Sequence, residues 1–177
     1  MSGNHGTGVR TAGPRAVLVG APGSGKTTVG TLLARAWAVE ARDTDADIVA
    51  TQGRSIPDLF LEEGEAHFRA LERAAVADAL ATHPGVLALG GGAVLDEQTR
   101  SLLDGHRVVF LRVGLSDAVK RIGLGSGRPL LLGNVRSRIK ALLDERTPVY
   151  EGVATLVVET DGRTPQDVAR EIEEALT

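Results

Sequence analysis

Eight consecutive residues, Gly20-Ala21-Pro22-Gly23-Ser24-Gly25-Lys26-Thr27, carry the spacing G-x-x-x-x-G-K-[ST], the pattern of a phosphate-binding loop, or P-loop. Its chemistry is largely that of the backbone. Glycines let successive N–H groups turn inward around phosphate oxygens, where a Cβ would block approach. Lys26 can reach the β- and γ-phosphates, and the Thr27 hydroxyl can ligate Mg²⁺. Gly23, Ser24, Gly25 and Thr28 complete the expected contacts to a bound nucleoside triphosphate. Such a loop needs a strand before it and a helix after it. Ala16–Val19 is an apolar, strand-like run, and Val29, Leu32, Leu33 and Ala36 recur at i, i+3, i+4 and i+7, which predicts a helix over Lys26–Ala38. That helix adds unpaired N–H groups and the positive end of its dipole to the phosphate site.

A P-loop alone does not separate a kinase from an ATPase or a nucleotide switch. Asp43 and Asp45 flank Thr44 at the expected carboxyl end of a short strand, where ligands of open α/β sheets bind. Alternate residues of an extended segment point the same way, so both carboxylates are expected to face the site. One would hold Mg²⁺; the other would accept a proton from an attacking hydroxyl. The run Gly90-Gly91-Gly92 follows another apolar strand and would let backbone approach a ligand closely. Arg69 and Arg73 lie on one helix face near this expected cleft and, taken alone, read as solvated surface charges.

The elements that must position these residues alternate along the chain. After the first strand and helix comes an extended piece at Val39–Ala41 that ends at the two aspartates. Ser55-Ile56-Pro57-Asp58 reads as a helix start, with Ser55 as the cap. A longer helix over Glu65–Thr82 places Phe68, Leu71, Ala75 and Ala79 on its apolar face, opposite Arg69, Glu72 and Arg73. Strands are expected at Val86–Leu89, Val108–Leu111 and Thr155–Val158, with helices over Glu97–Leu103, from Ser116, and after Thr164. The last of these turns Val168, Ile172, Ala175 and Leu176 inward. Strands apolar on both faces and alternating with helices imply an α/β, doubly wound, parallel sheet. Leu124–Asn134 (LGSGRPLLLGN), with glycines at both ends, reads as a hinged lid at about residues 123–135.

Bulk composition narrows the function classes. The chain has 177 residues, 42% of them hydrophobic and 24% charged, as expected of one globular domain with a real core. Residues 1–14 are Gly-, Ser- and Thr-rich and read as a mobile tail before a single domain at 15–177; they lack the apolar region of a secretory leader. Net charge is −3 without a Lys/Arg block, which argues against nucleic acid or an anionic membrane as partner. With no Cys and four scattered His, neither a thiolate site nor a zinc site is expected. A cytoplasmic enzyme fits these features.

Taken together, GAPGSGKTTVG at 20–30, DTD at 43–45, GRSIPDLF at 53–60, GEAHFR at 64–69, LGGGAV at 89–94 and Arg128-Pro129 resemble shikimate kinase, a P-loop small-molecule kinase family. The likeness runs from about Arg15 to the C-terminus. It implies a five-stranded, nucleoside-monophosphate-kinase-like fold with a mobile lid, acting as a monomer on shikimate and ATP with Mg²⁺. The resemblance assigns roles residue by residue. Asp45 would bind the acceptor hydroxyls and serve as base, and Asp43 with Thr27 would hold Mg²⁺. Arg69 and Arg146 would pair with the substrate carboxylate. Gly90, Gly91 and Gly92 would meet the substrate through backbone, with Phe60 and Phe68 as walls. Arg121, Arg163 and Pro165 would contact adenine. Arg128 would be the lid arginine that joins Lys26 in neutralising the transferred phosphate. Two other readings stand beside this one: a kinase for another small hydroxy acid such as gluconate, and a nucleotide-binding regulatory protein without transfer activity.

Overall fold

The computed structural model describes residues 13–126 and 132–177. Five parallel strands form one sheet: β1 (Ala16–Val19), β2 (Ala41–Asp43), β3 (Val86–Ala88), β4 (Val108–Arg112) and β5 (Leu156–Glu159), in the spatial order β2-β3-β1-β4-β5. β1 is central and pairs on one side with β3 (Ala16 opposite Val86) and on the other with β4 (Val17 opposite Val108). Strand periodicity divides its side chains between two cores. Val17 and Val19 pack with Leu87, Phe110 and Tyr150 on one face, while Leu18 packs with Val29, Leu33, Val109 and Ile172 on the other. All four residues of β1 are buried, as a strand covered on both faces requires.

The helices are α1 (Lys26–Ala36), α2 (Thr44–Gln52), α3 (Ile56–Glu63), α4 (Glu65–Thr82), α5 (Glu97–Leu102), α6 (Leu115–Ser126), α7 (Leu132–Val153) and α8 (Pro165–Leu176), with a single 3₁₀ turn at Ala93–Leu95. α1 and α8 cover one face; α4 to α7 cover the other. Ser55 and Thr164 cap α3 and α8 through their side chains, with Pro in the first turn of each, as their sequences predict. A third, smaller core of Ile48, Leu59 and Phe68 joins α2, α3 and α4 into a cap beside the carboxyl end of the sheet.

Several elements differ from expectation. α1 stops two residues early, because Ala38 takes a positive φ of 51°. Asp43 is not followed by more strand: its carboxylate accepts from the N–H groups of Asp45 (2.8 Å) and Ala46 (3.3 Å) and starts α2. The two aspartates therefore face one site as cap and first-turn residue of a helix rather than as alternate residues of a strand. The expected loop at Leu124–Asn134 is helical at both ends, since α6 runs to Ser126 and α7 starts at Leu132. Residues 127–131 between them, including Arg128, lie outside the described residues, as does the tail up to residue 12. Glu72, expected on the polar face of α4, is only 3% exposed. In α8, Ala169 rather than Ala175 is buried.

Candidate active site

The P-loop links β1 to α1. Gly23 and Gly25 hold left-handed φ angles of 80° and 94°, and Gly25 starts α1 with no side-chain cap. The first-turn N–H groups of α1 thus have no competing side-chain acceptor, which suits an anion site. The Lys26 ammonium donates to the carbonyls of Gly20 (2.7 Å) and Ala21 (3.1 Å). Burial lowers its pKa to about 8, partly countered by the carboxylates of Asp43 and Asp45. Because burial penalises the charged form, an anion placed beside it would raise the pKa again.

Nine of the sequence-predicted residues share one cleft of about 350 Å³, which the predicted Arg69, Gly92, Arg146, Phe60 and Phe68 do not line. Gly23, Gly25, Lys26, Thr27, Thr28, Asp43, Asp45, Gly90 and Gly91 all line it. A neighbouring hollow of about 200 Å³ gathers Arg121, Arg163 and Pro165, expected around the nucleotide base, with Ser24, Gly25 and Thr28 of the P-loop side. Arg121 ties this hollow together, donating to the Gly23 carbonyl (3.0 Å) and the Thr160 carbonyl (3.0 Å). Arg163 is held by Glu171 (2.5 Å) and the Glu159 carbonyl (2.9 Å). A larger surface hollow of about 640 Å³, between α5 and the end of α7, contains none of the predicted site residues.

The glycine run is where the acceptor side is assembled. A Cβ on Gly90 would stand 2.5 Å from Asp45 Oδ1; on Gly91, 3.4 Å from Arg146 Nη1; on Gly92, 2.5 Å from Arg69 Nη1. Each glycine lies against a different predicted charged residue, so one short turn gathers a carboxylate from α2 and guanidinium groups from α4 and α7. A side chain at Gly90 would push the Asp45 carboxylate aside, and one at Gly92 the Arg69 guanidinium, so glycine at both leaves these groups where they are. The turn is held firmly: Thr44 accepts from the Gly90 N–H (3.2 Å), Tyr150 donates to the Gly91 carbonyl (2.5 Å), and Arg100 donates to the carbonyls of Val94 (2.9 Å) and Leu95 (2.8 Å). Arg73, which the sequence suggests is a solvated charge, is paired to Asp96, the cap of α5, at 2.5 Å.

Electrostatics bind the acceptor side to the phosphate side. Burial, then the charge of Asp43, raises the Asp45 pKa, while Lys26 and Arg69 oppose the rise. Arg69 donates to the buried carboxylate of Glu72 at 2.7 Å. Burial raises the Glu72 pKa, and the Arg69 hydrogen bond is the largest opposing influence. Of the aromatic pair, Phe68 is 3% exposed and belongs to the small core, with its ring 4.7 Å from that of the more accessible Phe60. Glu72, Thr44 and Tyr150 are absent from the sequence-derived set. Thr44 does lie inside a quoted motif, between the two aspartates; Tyr150, four residues after Arg146, and Glu72 lie in none.

A parallel α/β sheet with a P-loop at its first strand, an acidic pair across the cleft and a capping helical unit together define a P-loop kinase of the nucleoside-monophosphate-kinase-like type. Residues 22–177 match the shikimate kinase family model. The chain belongs to the shikimate kinase family. It is 65% identical to the shikimate kinase of Salinispora tropica over 159 residues, covering 90% of this chain and 95% of that protein. It is 58% identical to the shikimate kinase of Thermobifida fusca over 163 residues, covering 92% and 95%. Among solved structures, the shikimate kinase of Acinetobacter baumannii in complex with shikimate superposes with a TM-score of 0.85 at 34% identity, over 94% of both chains. A gluconokinase from Sinorhizobium meliloti superposes at 0.58 with 21% identity, a likeness of fold alone.

Proposed function

We infer that this protein transfers the γ-phosphate of ATP to the 3-hydroxyl of shikimate, giving shikimate 3-phosphate in chorismate and aromatic amino-acid synthesis. The observation that carries the reading is the glycine turn flanked by Asp45, Arg146 and Arg69. Two guanidinium groups fit a carboxylate in fixed orientation, and a carboxylate on the phosphate side of the same turn fits a hydroxyl. This arrangement favours a small cyclic hydroxy acid over an open-chain one.

In this reading Arg69 and Arg146 hold the acceptor carboxylate, Gly91 and Gly92 meet it through backbone, and Phe60, backed by Phe68, walls the ring. Asp45 accepts the proton from the attacking hydroxyl as the new O–P bond forms and the bond from the γ-phosphorus to ADP breaks. Lys26 spreads its charge over the phosphates, and the lid arginine Arg128 completes that neutralisation. Alignment and charge neutralisation are most of what phosphoryl transfer requires. The donor set fits Mg²⁺: the Thr27 hydroxyl and the Asp43 carboxylate line the cleft, and both are hard oxygen ligands. Among the described residues no group of three or more His, Cys, Asp or Glu forms a metal cage, so the ion would share its coordination with nucleotide phosphates. Bound Mg²⁺ would neutralise charge on the transferred group. The enzyme is taken as a cytoplasmic monomer, and no described helix is long and apolar enough to cross a membrane.

ADP release from MgATP, measured with shikimate, gluconate and quinate in parallel, tests this assignment. Release dependent on shikimate supports it. Release with gluconate alone would move the activity to another acceptor, and no release with any of them would favour a non-catalytic nucleotide binder.

A further inference from the structure

Tyr150 is 1% exposed, and a buried phenol needs a partner for its hydroxyl. Its Oη donates to the Gly91 carbonyl at 2.5 Å, and the Arg146 side chain, one turn earlier on α7, lies near enough to the same oxygen to favour its ionised form against the effect of burial. Gly91 in turn lies against Arg146, so the chain of contacts closes on itself: guanidinium to phenol, phenol to glycine carbonyl, glycine back to guanidinium. The Arg146 Nε, buried, has no hydrogen-bond partner. The Tyr150 ring is fixed separately, packed on Phe110 of β4 with centroids 5.1 Å apart. Packing is therefore supplied by the ring, and a phenylalanine would fill the same space. The hydroxyl is surplus to packing and engages two groups of the acceptor side.

We propose that Tyr150 is a positioning residue for the acceptor: its hydroxyl holds the Arg146 guanidinium and the Gly90–Gly92 turn in one mutual geometry, aiming Arg146 at the carboxylate before substrate arrives. This rests on the reading of Arg146 as a carboxylate ligand. Without the phenol oxygen, Arg146 loses a polar neighbour and gains rotamer freedom that must be given up again on binding. The Gly91 carbonyl at the same time loses its donor.

The test is Tyr150→Phe, assayed for both substrates. The expected result is a KM for shikimate raised about tenfold, with the KM for MgATP within about twofold and kcat within about threefold, the pattern of lost preorganisation rather than lost chemistry. In an Arg146→Lys background the same change should cost less than about twofold, since the residue through which Tyr150 acts is already altered. A readout independent of the acceptor completes the test: the Arg146 Nε–H resonance should exchange at least about tenfold faster with solvent in Tyr150→Phe than in the wild type. An unchanged KM for shikimate in an enzyme that turns shikimate over, an equal cost in both backgrounds, or an unchanged Nε–H exchange rate would each overturn the proposal. A merely structural role would instead lower the melting temperature and leave KM and exchange at Arg146 alone. Should the wild type prove to use another acceptor, the function reading fails, while the exchange measurement still decides whether Tyr150 holds Arg146.

Discussion

The phosphate half of the cleft is made mostly of backbone; the acceptor half is made mostly of charged side chains. Along the P-loop the structure offers positive-φ glycines and the uncapped start of α1, from consecutive residues, with Lys26 as the one cation of the loop. On the acceptor side Asp45, Arg69 and Arg146 come from three helices and meet only because β3 delivers the glycine turn between them. Backbone donors are aimed by the fold itself. Buried side-chain charges need groups to hold them: Glu72 holds Arg69, and Lys26 and Arg69 oppose the effect of burial on Asp45. Damage to the phosphate half should therefore stay local, whereas damage to the acceptor half should spread through shared partners.

Four experiments would sharpen or break that contrast. Asp45→Asn should have the largest effect, cutting kcat on the order of 10³-fold through loss of the proton acceptor while ATP affinity stays within about twofold; turnover close to wild type would remove Asp45 from that role. Arg69→Ala comes next. Truncating one partner of a buried charge pair costs about 2–5 kcal/mol, so the KM for shikimate should rise on the order of 100-fold with the KM for ATP little moved. If both constants rose together, the two halves would not be separate. Gly90→Ala drives a Cβ to 2.5 Å from Asp45 Oδ1, and should lower kcat on the order of tenfold by displacing that carboxylate, with nucleotide binding as the control. Proton linkage at Lys26 gives the smallest signal. Its pKa is lowered to about 8, and bound phosphates favour the ammonium, so nucleotide binding near pH 8 should take up about half a proton. The uptake should vanish near pH 6.5, where Lys26 is already charged, and ATP affinity should weaken as pH rises above 8. Calorimetry in two buffers of different ionisation enthalpy reads this directly; equal heats in both at pH 8 would show that Lys26 does not titrate there.

The same contrast explains what could be read from sequence. The P-loop, its flanking strand and the Glu65–Thr82 helix are encoded by neighbours in the chain, so local pattern suffices for them. α2 escaped because an Asp-Thr-Asp segment after apolar residues reads as a strand end. The signals for it are Asp43 as cap, Asp45 and Asp47 in the first turn, and Gly53 at φ 67° after the last residue, the usual start and stop of a helix. α7 was obscured by Pro148 inside it, since an internal Pro ordinarily ends a helix. Glu72 was placed on the solvent face because charge usually means exposure. Its cation, Arg69, stands three residues earlier on the same helix, a spacing that is legible in sequence; the burial of the pair comes from the tertiary packing around α4, and no local pattern carries that. Arg146 and the nucleotide-side Arg121 come only through family resemblance, because nothing in their own neighbourhoods separates them from nearby cations such as Lys120, Arg136 and Arg138.

The position of β1 at the middle of the sheet has a consequence for synthesis. β1 leaves the ribosome before the strands it pairs with, at residues 86–88 and 108–110, so its apolar Ala-Val-Leu-Val has no finished sheet to enter until about ninety further residues have emerged. At ordinary translation rates that is roughly five to twenty seconds. During this interval the most deeply buried strand of the enzyme, with the phosphate loop attached to it, is an exposed hydrophobic segment. Long-range parallel pairing of this kind is slow to form and aggregation-exposed while it waits. The nascent chain, more than the finished enzyme, is therefore the stage at which this architecture is exposed to aggregation.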